Sequence, residues 1–83
     1  MIKWRATGKV VKANGEKTVF YRGDNTEYRI ESRRRWIQNN KNDGQRLFTT
    51  SVVIRPTEDD ADHVEAEKYS LADAKSFVEE MTC

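Results

Sequence analysis

The sequence predicts an α+β fold, an antiparallel meander of four to five strands with one C-terminal helix packed on one face. Three observations predict it. Residues 2–32 alternate apolar and polar side chains with a period of two, broken by two turn signals. Residues 45–55, QRLFTTSVVIR, are rich in β-branched side chains and stop at Pro56, where the chain can no longer donate to a ladder. Residues 70–81 carry apolar side chains at helical spacing behind a serine suited to cap a helix.

In the first strand Ile2, Trp4, Ala6 and Val10 alternate with Lys3, Arg5, Thr7 and Lys9, and Trp4 is expected in the core. Asn14-Gly15 is the favoured pair for a two-residue hairpin turn, since both positions need positive φ. That turn would set Val10 opposite Val19, Gly8 opposite Tyr21, Lys9 opposite Phe20 and Val11 opposite Thr18. A second two-residue loop at Asp24-Asn25 would pair Tyr21 with Tyr28, Val19 with Ile30, Arg22 with Glu27 and Phe20 with Arg29. Both turns then put Val10, Val19, Tyr21, Tyr28 and Ile30 on one face, with charge pairs and a cation–π contact on the other.

Continuing that alternation would drive Arg34 toward the core, so a bulge or strand end is expected between Ser32 and Arg34. Trp36 is then either a plug closing the sheet end or an exposed anchor. Residues 39–44 read as a loop. The fourth strand follows over 45–55, with Phe48, Val52 and Ile54 on one face, Leu47 and Val53 on the other, and cover expected on both. TEDDAD (57–62) is an acidic linker, and 63–69 reads as a short edge strand, the alternative being an early helical turn. Ser70 is the expected N-cap, and Leu71, Ala74, Phe77, Val78 and Met81 form the stripe that must rest on the sheet. The 83 residues suit one domain, divided into a basic sheet (2–55), an acidic linker with a possible edge strand (56–69) and a helix (70–82).

Composition bounds the function. Hydrophobic residues make up 36% and charged residues 35%, polar for a globular chain but sufficient for a core. No apolar run is long enough to cross a membrane, and MIKWRATGKVV has no signal-peptide apolar stretch, so a cytoplasmic protein with no membrane partner is expected. Cys83 is the sole cysteine and excludes an intramolecular disulfide. The net charge of +1 hides a division: residues 1–55 hold thirteen Lys/Arg against five Asp/Glu, and residues 56–83 hold two against nine.

No catalytic set emerges. His63 is the one histidine and has no partner at metal-ligand spacing, no serine stands in a nucleophile motif, and the glycines form no phosphate loop. Glu58, Asp59 and Asp60 lack the spacing of a calcium loop. The expectation is a non-enzymatic binding protein with no cofactor and no metal.

Its favoured partner is nucleic acid, held on the basic, aromatic outer face of the sheet. Lys3, Arg5, Lys9, Phe20, Arg22 and Arg29 share that predicted face, with Arg33, Arg34, Arg35 and Trp36 beyond. Lys9, Arg22, Arg29, Arg33, Arg34 and Arg35 would take phosphates, while Phe20 or Trp36 stacks or wedges. A second reading is a phage- or mobile-element-type inhibitor, anti-defence or anti-CRISPR-like, that binds a charged host protein. Its acidic face would be Glu58, Asp59, Asp60, Asp62 and Glu65. A third lets the two charged halves neutralise each other, within a monomer or between copies of a homodimer.

The meander-then-helix order, with Tyr28-Arg29-Ile30 in a strand and residues 69–81 closing the chain, loosely resembles the arm-DNA-binding N-terminal domains of phage-type integrases. There a three-stranded sheet reads DNA and a helix packs behind it, so the resemblance implies DNA contact through the sheet. The fourth strand and the TEDDAD linker depart from that pattern.

Overall fold

The computed structural model describes residues 2–39, 44–59 and 62–82 of the chain. It contains β1 (Trp4–Val11), β2 (Lys17–Gly23), β3 (Arg29–Asn39), β4 (Gly44–Arg55), β5 (His63–Lys68) and α1 (Leu71–Thr82). The strands form one antiparallel sheet in the order β1-β2-β3-β4-β5, so every connection is a hairpin. The expected α+β meander is the fold, and residues 63–68 take the strand alternative.

The helix begins where predicted. Ser70 Oγ accepts the Asp73 backbone N–H at 3.1 Å, satisfying a donor the first turn would otherwise leave open. The 3.6-residue period then puts Ala74 and Val78 on the sheet, both fully buried. They join Tyr28, Ile30 and Val53, with Ile2, Trp4, Tyr21, Ala66, Leu71 and Phe77 packed around them. Lys68 Nζ lies 5.1 Å from the Phe77 ring centroid and Lys75 Nζ 5.7 Å from that of Tyr21, closing the edges of this layer with cations over aromatic faces.

The pairing differs from the expected register at both early hairpins. In the first, Gly8 faces Phe20, Lys9 faces Val19, Val10 faces Thr18 and Val11 faces Lys17, one residue off. The loop has three residues rather than two. Gly15 N–H donates to Lys12 C=O at 3.0 Å, Lys12 N–H donates to Glu16 C=O at 2.8 Å, and Gly15 supplies φ 95°. A bulge at Thr7 brings the shift to two, which restores the predicted face, and Ala6 then faces Tyr21 and Trp4 faces Gly23. Trp4 therefore reaches the core as expected, whereas Val10 turns away from it and is 52% exposed.

In the second hairpin Tyr21 faces Ile30, Phe20 faces Glu31 and Arg22 faces Arg29, so the loop is longer and the shift is two. Asn25, at φ 62°, takes the left-handed position that the turn needs. A shift of two preserves the faces, so Val19, Tyr21, Tyr28 and Ile30 stay on the side predicted for them. The expected Arg22–Glu27 and Phe20–Arg29 pairs are not formed, because the longer loop absorbs Glu27 and Tyr28.

No bulge relieves the arginine run. β3 pairs with β4 without interruption from Arg29–Ile54 to Asn39–Gly44. The conflict is removed by the length of the helix, which at twelve residues spans about 18 Å. It covers only the half of β3 and β4 nearest Ile30 and Val53. Arg34 and Trp36 point to the helix side but lie beyond its reach, where both are exposed.

Candidate functional site: the helix-free face

On the side away from the helix, three strands place their arginines in a line. Arg5 faces Arg22 across β1 and β2, and Arg22 faces Arg29 across β2 and β3. Past Glu31 on the same side of β3 come Arg33 and Arg35, about 6.7 Å from each other. The next strand adds Phe48 opposite Arg35, and Arg46 opposite Ile37. Phe20 lies half-buried beside this line, opposite Glu31.

Part of that charge is answered inside the molecule. Arg5 pairs with Asp24 at 2.9 Å, Arg29 with Asp62 at 2.7 Å and Arg33 with Glu31 at 3.2 Å. At the sheet margin Glu65 takes Arg55 at 3.0 Å and lies 3.8 Å from His63. No ion pair engages Arg22, Arg34, Arg35 or Arg46 among the described residues. The pairs also serve packing. Val52 and Ile54 are buried to 3% and 1% exposure on a face without a helix. Val52 stands between Glu31 and Glu67, and Ile54 between Arg29 and Val64. The stems of Glu31, Glu67 and Arg29, with the Val64 side chain, flank the two residues on this face. Cover on both faces of β4, expected from its apolar run, is thus realised.

The predicted contacts divide between the two sides. Phe20, Arg22, Arg29, Arg33 and Arg35 share the helix-free face. Lys9 does not, since it stands opposite Val19 and the one-residue shift turns it to the helix side. Arg34 and Trp36 lie on that same side, past the helix end. The Trp36 indole N–H donates to the Asn14 carbonyl at 2.7 Å, pinning the first hairpin turn to β3, while the residue remains 39% exposed. Among the acidic candidates Glu58 and Asp59 are exposed, Asp62 and Glu65 are engaged by arginines, and Asp60 lies outside the described residues.

Sequence reasoning missed Phe48 and Tyr69. Their rings meet edge to face, centroids 5.8 Å apart at 81°, on the arginine side of the sheet. Phe48 was visible through its alternation with Leu47, which shows which side it takes. The signal for Tyr69 was its position one residue before the helix cap, where the backbone leaves the strand. No protein-family model matches the chain, and comparison with curated proteins and with solved structures finds no match.

Proposed function

We propose that this chain is a nucleic-acid-binding protein and that it binds through the helix-free face of its sheet. One observation carries the reading, the row Arg5–Arg22–Arg29. Like charges directly opposite one another destabilise a sheet. Asp24 and Asp62 relieve the two ends, and the middle guanidinium has no counter-ion among the described residues. A polyanion supplies the missing charge, and a guanidinium grips phosphate oxygens two at a time. Farther along β3, past Glu31, Arg33 and Arg35 stand on the same side of the sheet and give a phosphate backbone further cations to meet. Contacts of this kind give affinity without sequence reading.

The acidic inhibitor reading has less to stand on, because Asp62 and Glu65 already hold arginines of the same molecule. That leaves Glu58 and Asp59 as a small exposed pair among the described residues.

The test is titration of a labelled oligonucleotide at several salt concentrations. Neutralising four phosphates predicts a log–log slope between about −3 and −4. Arg22→Ala and Arg35→Ala should each weaken binding and reduce the slope by about 1. Binding that ignores salt, or that both substitutions leave intact, refutes the proposal.

A further inference from the structure

We infer that the ligand of this face is an unpaired nucleic-acid strand, and that Tyr69, braced by Phe48, is a platform on which a base stacks. This rests on the nucleic-acid reading above and narrows it. Two independent features lead to it, the width of the sheet and the position of one ring.

The width argues against a duplex. A two-stranded ribbon enters a major groove about 12 Å wide. Five strands at the usual spacing span about 19 Å from first to last. The arginines that define the face come from β1, β2, β3 and β4, so no two-stranded edge of the sheet carries them into a groove together. A single strand is not bound by that limit. It lies across the surface, follows the arginine line with its phosphates and turns its bases toward the protein.

The ring is Tyr69, which is 77% exposed, the most exposed large hydrophobic residue of the described chain. Its position just before the Ser70 cap is where an apolar side chain commonly packs back onto the first turns of a helix. Here the ring goes the other way. Lys68, paired with Ser51, points to the helix side and covers Phe77, so the next residue emerges on the arginine side and meets Phe48. The edge-to-face contact with Phe48 supports the tyrosine ring, most of which stays open to solvent. Phe48 stands directly opposite Arg35, and Arg33 is opposite Thr50 on the neighbouring pair. Phe48 therefore stands between the exposed tyrosine and the arginines of β3, so one face of the sheet offers both backbone charge and a π-surface, the combination that holds unpaired bases without a sequence preference.

The experiment uses the full chain and three labelled probes of about 16 nucleotides, a length suited to one small domain. These are single-stranded DNA, single-stranded RNA of the same sequence and the DNA duplex, compared by fluorescence anisotropy at one low salt concentration. The single strands are expected to bind more tightly than the duplex. Tyr69→Ala should weaken single-strand binding roughly 5- to 150-fold and leave duplex binding unchanged, whereas Tyr69→Phe should retain both. Since Tyr69 lies on the surface, unchanged circular dichroism and melting temperature will show that the variant folds. Duplex binding as tight as single-strand binding, or single-strand binding indifferent to Tyr69→Ala, overturns the inference and leaves the broader nucleic-acid reading standing. Failure of all three probes to bind removes both. The tighter of the two single strands identifies the source, since RNA carries a 2′-hydroxyl that DNA lacks.

Discussion

Gly23 shows how closely one position can be specified. A methyl group placed there would stand 2.6 Å from Ile2 Cγ2, 2.8 Å from Thr26 Cγ2 and 3.2 Å from Trp4 Cζ3. The first strand can close over the second only because this residue has no side chain. Gly23→Ala should therefore destabilise the fold by about 1–3 kcal/mol, measured by chemical denaturation. Gly8→Ala is the control, since its new methyl meets only Phe20 Cδ2, at 3.8 Å, and it should be nearly neutral. In the sequence Gly23 merely precedes the Asp24-Asn25 loop and gives no sign of this packing role, because two of its three contacts come from residues about twenty positions earlier in the chain. Trp36 was legible only in half. Its exposure and its hydrogen bond to Asn14 satisfy both of the expected roles in part, and which would prevail depended on where the helix stopped.

At the scale of elements, four strands and the helix could be read from period and turn chemistry and the fifth strand as one of two alternatives, while the reach of β3 and the register could not. Asn14-Gly15 serves a two-residue turn and also ends a three-residue one, and the choice moves every partner by one. A bulge at Thr7 then makes the shift two and so restores the face of Trp4 and Ala6, a feature for which alternation alone carries no signal. The predicted faces of β2 and β3 survived because the error in the loop between them was an even number. Lys9 and Val10 lie between the turn and the bulge, so theirs did not. The cap was fully legible, and it supports a quantitative expectation. Ser70→Ala should lower stability by about 1 kcal/mol, and Ser70→Asp should restore most of it, as read from thermal unfolding.

For the molecule as a whole, the uneven charge noted at the start is resolved partly by ion pairs that join the basic sheet to the acidic segment. Arg29–Asp62 and Arg55–Glu65 each bring together the two halves of the sequence. Of what remains, Arg22, Arg35 and Arg46 lie on the helix-free face, and there the charge sets stability against binding. Arg22→Thr should raise the melting temperature at low salt by the equivalent of about 0.2–1 kcal/mol, because it removes the middle charge of the row. High salt should erase that gain by screening, and nucleic-acid affinity should fall in the same variant. A lower melting temperature at low salt would show that the row is not repulsive. The candidate site was legible as a list of arginines and an expectation of a shared face. Its aromatic part was not, because Tyr69 and Phe48 meet through strand pairing that the sequence does not display.

The short helix has a consequence for motion. Strands β3 and β4 run well past the end of α1, and that outer part is held by cross-strand pairing, the Trp36–Asn14 hydrogen bond and the Phe48–Tyr69 contact, without a helix over it. Free energies of local opening must therefore decline from the layered end of the sheet toward its tip. Arg22 and Arg29 stand on the rigid end, which fixes where a ligand first docks. Arg35 and Phe48 stand on the compliant end, which can change its twist and follow the shape of whatever strand is laid along it.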